Sequence, residues 1–98
     1  MSTLVEFLKH NTMMNSRLLD ACEALPSESL ATSLDGTYGS IAATLVHVVQ
    51  GQDSYAYRFF DRERPERLAE NPFPGFALLR ERLAKTDAML EEAAAHAV

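Results

Sequence analysis

The stretch from Ile41 to Phe60 constrains the fold more than any other part of the chain. When it is drawn as a helix, at about 100° per residue, apolar side chains occupy most of its circumference. They form one stripe and an adjoining arc: Ile41, Leu45, Val48, Tyr55 and Phe59, then Val46, Val49, Ala56, Tyr57 and Phe60. A helix of this kind is normally packed on two or more sides. The pattern therefore predicts the central helix of a helical bundle.

Start signals lie directly before this helix. Gly36 and Gly39 suit the tight turns of a loop. Ser40 is a suitable N-cap, because its hydroxyl can accept a hydrogen bond from the unpaired backbone N–H groups of the first turn. We therefore expect the helix to begin at residue 41 and to run to about residue 61.

The flanking sequence predicts two more helices. Thr3 and Glu6 match the S/T-x-x-E capping box, helical spacing of leucines continues to Leu25, and Pro26 ends the pattern. Prolines and charges predict a loop over residues 61–75, and the apolar helical pattern then returns. We predict one all-α domain over residues 1–98, with helices at about 3–25, 41–61 and 76–97. They are expected to pack up-and-down, as in a four-helix bundle whose fourth helix is missing.

Composition excludes several classes of protein. The 98 residues carry a net charge of −5 without a basic face, so we expect no nucleic-acid partner. Arg62, Arg64 and Arg67 alternate with acidic residues, which is typical of a solvated loop. A single cysteine, no signal peptide and no apolar run of about 18 residues predict a cytoplasmic protein without a membrane partner.

Two positions in the first helix stand out because they are polar on an apolar stripe. Asn11 and Asn15 lie one turn apart among the leucines. Buried amides need hydrogen-bond partners. The pair therefore indicates either a polar pocket or a contact that sets the register between helices.

His47 is the best single candidate for a functional residue. It shares the least apolar arc of the central helix with the small residues Ala43, Gly51 and Ser54. An imidazole beside small side chains leaves room for a metal, a ligand or the backbone of another helix. We expect the His47 side chain to face a cavity or cleft flanked by these three residues.

Three segments taken together resemble the DinB-like family of four-helix-bundle proteins. They are HNTMMNSRLLDA, LPSESL and DGTYGSIAATLVHVVQGQDSY, and the resemblance extends over residues 1–98. In that family the histidine of the T-L-x-H segment is a metal ligand, and it matches His47. The family's other two ligands form an H-x-x-x-H pair on a later helix. This chain contains no such pair, and His96 matches neither position.

The resemblance implies a metal-dependent enzyme, or the N-terminal portion of one. His47 would be one ligand of a divalent metal of the zinc, nickel or iron type, at a site that this chain leaves incomplete. Asn11, Asn15, Gly51 and Tyr55 would line a pocket for a small-molecule or thiol substrate of a transferase or hydrolase. The alternative is a non-catalytic helical-bundle module that associates with a second copy of itself.

We expect a homodimer, or a chain that is only marginally stable without its natural continuation, because three helices leave part of the central helix uncovered. Exposed apolar surface costs about 25 cal/mol for each Å². For so small a domain this is a large share of its stability. The predicted contact involves Val46, Val49 and Phe60.

Overall fold

The computed structural model describes residues 3–33, 39–69 and 72–96. Within these ranges the secondary structure consists of three α-helices and one short 3-10 helix: α1 (Thr3–Glu23), the 3-10 helix (Ser27–Ala31), α2 (Ile41–Phe59) and α3 (Phe76–His96). The three predicted helices are present, and the all-α class is confirmed. Thr3 and Glu6, the two residues of the proposed capping box, lie in the first turn of α1.

Both ends of α2 follow from local sequence. The Ser40 hydroxyl accepts a hydrogen bond from the Ala43 N–H at 3.0 Å, which confirms the predicted cap. Gly39 before it has a φ of 71°, a value that glycine adopts without strain. Gly36 lies outside the described residues.

The C-terminal end of α2 is closed by hydrogen bonds beyond the last helical residue. The Asp61 N–H donates to the Arg58 carbonyl at 3.0 Å, and the Arg62 N–H donates to the Tyr57 carbonyl at 2.8 Å. Asp61 has a φ of 52°. This is the Schellman arrangement, with an aspartate in the position that glycine usually occupies. It ends α2 two residues before the predicted boundary.

Helix α3 makes the main contacts between helices. It packs against both α1 and α2, whereas α1 and α2 contact each other little. The main core cluster consists of Leu19, Leu45, Val46, Val49, Leu79 and Leu83. A second cluster consists of Ala56, Tyr57 and Met89. At the α1–α3 seam, Arg80 pairs with Asp20 at 2.9 Å and Glu23 at 2.8 Å. The hydrogen bond to Glu23 is the largest of the influences that raise the pKa of Arg80.

The covered face of α2 differs from the predicted stripe. Leu45 is buried, but Val48, Tyr55 and Phe59 are 36%, 75% and 65% exposed. The buried positions are Leu45, Val46, Val49, Asp53, Ala56 and Tyr57. The sequence offers two apolar arcs, and α3 covers only one of them.

The same packing corrects the predicted dimer contact. Val46 is 0% exposed and Val49 is 1% exposed. Both belong to the main core cluster, and Phe60 packs partly buried against the second cluster. Val46 and Val49 are therefore unavailable to another copy, because α3 and the rest of the core already cover them. The homodimer itself stays a prediction.

None of the described helices combines the length and the apolar character needed to cross a membrane.

Candidate functional site

Four of the five predicted site residues border one open depression between α1 and α2, which we call the α1–α2 groove. It has a volume of about 360 Å³. Its lining consists of Leu8, Asn11, His47, Val48, Gly51, Gln52, Tyr55 and Leu90. Asn11, His47, Gly51 and Tyr55 are thus neighbours in the structure, although α1 and α2 are separated in sequence.

His47 lies at this groove, but its surroundings differ in part from the expectation. The residue is exposed, so it faces an open depression and not an enclosed cavity. Gly51 borders the groove as predicted, whereas Ala43 and Ser54 do not line it. Ser54 lies on another face of α2, where its hydroxyl accepts a hydrogen bond from Arg64 at 2.9 Å. The loop that carries Arg64 packs on this side of α2 and covers Ser54, and the groove begins at His47, one turn after Ala43.

Gly51 leaves real space in the groove. A Cβ added at this position would meet no atom within 4 Å, apart from its immediate chain surroundings. A glycine inside a helix costs about 0.8–1 kcal/mol relative to alanine. No described side chain takes up the room beside it. This surface of α2 can therefore be approached closely by a ligand or by another chain segment.

Asn15, the fifth predicted residue, belongs to a polar network beneath the groove. Its amide donates to Asp87 Oδ1 at 2.9 Å and to Gln52 Oε1 at 3.1 Å. Gln52 in turn donates to Asp87 Oδ1 at 2.7 Å and to the Thr86 hydroxyl at 2.8 Å. Asn11 donates to Gln52 Oε1 at 3.2 Å. The network joins all three helices, which favours the register-setting interpretation of the two asparagines.

Sequence reasoning missed Gln52 and Asp87, although a signal was present. Asp87 lies between Leu83 and Leu90 at helical spacing, so it falls on the apolar stripe of α3. It is 5% exposed. A carboxylate at such a position needs hydrogen-bond donors from its neighbours. The amides of α1 and α2 supply them.

The described residues do not make a metal site by themselves. No group of three or more histidine, cysteine, aspartate or glutamate side chains within them is arranged to hold a metal ion. Around His47 the groove offers amides, a phenol and apolar side chains. Protein zinc sites use at least three protein ligands. His96 lies near the end of α3, where its Nδ1 is 2.8 Å from the Glu92 carbonyl oxygen.

A second cavity, which we call the Asp53 cavity, lies on another face of α2 beneath the 61–69 loop. It has a volume of about 280 Å³. Its lining consists of Gln50, Asp53, Ser54, Glu63, Arg64, Pro65, Arg67 and Arg82. Arg64 and Arg67 therefore border a cavity. Both side chains are exposed, as expected for a solvated arginine cluster, and they border the cavity because the loop folds back onto α2.

Gln50 secures that loop. Its amide donates to the Leu68 carbonyl at 3.1 Å, and its side-chain oxygen accepts from the Leu68 N–H at 3.0 Å. This paired contact satisfies the backbone of a segment without regular secondary structure. It holds the arginine-bearing part of the loop against α2.

Asp53 is the most unusual side chain in this cavity. It is 4% exposed, and its Oδ2 accepts from Arg82 Nη2 at 2.6 Å and from Nε at 3.2 Å. Its Oδ1 is buried and has no hydrogen-bond partner among the described residues. A buried polar atom left in this way costs about 1–3 kcal/mol. Asp53 thus carries an unpaired acceptor that the surrounding protein atoms enclose.

Comparison of the chain with models of protein families tests the resemblance that the T-L-x-H segment indicates. The model of the DinB family matches residues 1–96. The chain belongs to the DinB family. The all-helical architecture of the described residues is consistent with a DinB-like bundle. No curated protein and no solved structure matches this DinB-family chain.

Proposed function

We propose that this chain is a metal-dependent enzyme module of the DinB type, with the α1–α2 groove as its functional face. In this proposal His47 is one ligand of a divalent metal of the zinc, nickel or iron type. The remaining ligands come from outside the described residues. A small molecule or a thiol is the substrate, a transferase or hydrolase reaction is the activity, and the cytoplasm is the compartment.

The position of His47 carries this proposal. The imidazole lies at the groove beside the open space at Gly51, and Asn11 and Tyr55 provide polar groups at the same surface. An exposed histidine can be reached by an incoming metal and by further ligands. Family membership supports the assignment, because the histidine of the T-L-x-H segment is a metal ligand in DinB-like proteins and His47 occupies that segment in this sequence.

The test is metal analysis of the natural full-length protein. We expect His47→Ala to lose most of the bound metal at equal protein concentration. His10→Ala is the matched control, because His10 is an exposed histidine of α1 that does not line the groove. Unchanged metal content in His47→Ala would remove this residue from the proposed site.

A second candidate function is a non-catalytic module that works as a homodimer. The observation favouring it is the apolar surface left on the outer faces of α1 and α2. The exposed side chains include Leu4, Phe7, Met14, Leu18, Val48, Tyr55 and Phe59. A second copy placed across the groove would cover many of them, and symmetric pairing of one patch with itself is the commonest form of association.

Sedimentation at micromolar concentration separates the two candidates. A dimer that Tyr55→Ser weakens, and that Leu25→Ser leaves intact, would support the module. Both residues are exposed, but only Tyr55 lines the groove. A monomeric natural protein that retains metal would count against the module.

A further inference from the structure

We propose that a pocket between α1 and α3 binds a small organic ammonium ion with an apolar body. This pocket, which we call the α1–α3 pocket, lies between residues 12–19 and residues 80–91 and has a volume of about 350 Å³. The inference is independent of the proposed metal function, because the α1–α3 pocket and the α1–α2 groove have no lining residue in common.

A buried carboxylate without a protein counter-charge borders this pocket. Asp53 and Asp87 are 4% and 5% exposed. Asp53 pairs with Arg82 at 2.6 Å, whereas Asp87 makes no ion pair with any described residue. Aspartates are rarely buried this completely unless a cation or a metal accompanies them. Asp87 therefore provides a negative charge that a cationic ligand in the α1–α3 pocket would balance.

The second oxygen of Asp87 is available to a ligand. Its Oδ1 accepts hydrogen bonds from Asn11, Asn15 and Gln52, while its Oδ2 accepts none from the described residues. Among the described side chains, the enclosed oxygen without a partner is Asp53 Oδ1, so Asp87 Oδ2 is not closed off in this way. Because Asp87 lines the α1–α3 pocket and does not line the α1–α2 groove, we place its accessible oxygen at the pocket.

The other charges around the pocket also favour a cation. Glu91 lies one turn after Asp87 on α3 and belongs to the same lining. The basic side chain of the described lining is Arg80, which pairs with Asp20 at 2.9 Å and with Glu23 at 2.8 Å. Its positive charge is therefore already balanced, and the two carboxylates leave the pocket negative.

The apolar walls distinguish an organic cation from a hydrated metal ion. Leu19, Leu83, Ala84 and Ala88 line the pocket. Hard metal ions require several oxygen ligands, which these side chains do not provide. An ammonium group can donate to Asp87 while an attached hydrocarbon contacts the leucines and alanines. The volume falls near the lower end of the roughly 300–1,000 Å³ usual for small-molecule sites, which favours a ligand with one ring or a short chain.

The probe pair is benzylammonium and benzyl alcohol, which have the same ring and differ in the charged donor. Methylammonium is the third probe, because it has the charge without the ring. Binding to the full chain is followed by NMR titration and by isothermal calorimetry. We expect benzylammonium to shift the signals of residues 12–19 and 80–91, and to bind about tenfold or more tightly than either other probe. Absence of benzylammonium binding, or equal affinity for any two of these probes that include it, would overturn the proposal.

Asp87→Asn is the first variant, since it removes the charge and keeps the shape of the side chain. It should weaken benzylammonium binding about tenfold or more and abolish the preference over benzyl alcohol. Glu81→Gln is the matched control, because Glu81 is an exposed acidic residue of α3 outside the pocket. Equal weakening by both variants would show attraction to net charge alone and would overturn the assignment.

Ala88→Leu is the second variant, and it decides the proposal if Asp87→Asn does not fold. Ala88 is exposed and lines the pocket, so a larger side chain should occupy the space of the ligand without disturbing the core. We expect benzylammonium binding to weaken about tenfold or more. Ala77→Leu makes the same change at an exposed position of α3 outside the pocket and should leave the affinity unchanged. Unchanged affinity in Ala88→Leu would show that the ammonium ion does not bind in the α1–α3 pocket.

Discussion

The inner and outer faces of α2 have similar amino-acid types but opposite environments. Val46 and Val49 on the inner face are 0% and 1% exposed, whereas Val48 and Tyr55 on the outer face are 36% and 75% exposed. The inner face is covered by α3 and contains a buried ion pair, while the outer face borders an open groove. The difference shows that apolar character alone does not reveal which side of a helix supplies stability and which side is available for binding.

The largest expected effect is at the ion pair of the inner face. Asp53→Ala removes the partner of Arg82, whose side chain is 16% exposed. Breaking a buried pair by deleting one partner costs about 3–5 kcal/mol. We expect a loss of this order in the free energy of unfolding, measured by urea denaturation. Tyr55→Ala on the outer face is the control, and an equal loss there would erase the distinction between the faces.

Neighbouring valines provide a matched test of the two environments. Val49→Ala deletes two buried methyl groups and should lower the free energy of unfolding by about 2–3 kcal/mol, including the cavity that remains. Val48→Ala makes the same change on the outer face, where we expect a loss of less than about 0.5 kcal/mol. Thermal denaturation followed by circular dichroism measures both. Similar losses would mean that the outer face is covered in solution.

The polar network at the boundary between the faces should have an intermediate effect. Gln52→Leu removes the donor to Thr86 and Asp87 and leaves the amides of Asn11 and Asn15 with fewer partners. Buried polar groups without partners cost about 1–3 kcal/mol. We expect a loss of about 2 kcal/mol in urea denaturation. Gln50→Leu tests the specificity, because it releases the loop contact at Leu68 and leaves the three-helix network intact.

The smallest effect is a gain on the outer face. Gly51→Ala adds a methyl group where no atom lies within 4 Å. Alanine favours the helix by about 0.8–1 kcal/mol over glycine, so the melting temperature should rise. A fall would show that another segment or a second copy already occupies this part of the groove.

Much of the secondary structure is readable from local sequence because its causes are local. Ser40 caps α2 through a backbone N–H three residues away, and Pro26 follows the end of α1. The all-α class and the three helices depend on such signals and on helical periodicity. The end of α2 at Phe59 was missed, because Asp61, the left-handed residue that follows it, signals such a conformation less clearly than a glycine does.

The candidate site was predictable only in part. His47, Asn11, Gly51 and Tyr55 were identified from the sequence, and the tertiary structure brings them together at the α1–α2 groove. Periodicity describes one helix at a time, so it placed Val48 and Tyr55 in the core as readily as Val49. The position of α3 decides which arc of α2 is buried. The contact between α2 and α3 joins distant parts of the chain, so the periodicity of α2 alone does not predict it.

The sequence by itself determined the helices, the cap at Ser40 and the acidic character of the chain. Only the tertiary structure decided that Asp87 meets Asn15 across 72 residues and that Arg82 meets Asp53 across 29 residues. Such pairings are absent from local patterns, because a polar residue on an apolar stripe requires a partner without specifying which one. The packing of α3 against both other helices, and of the arginine-bearing loop against α2, selects those partners.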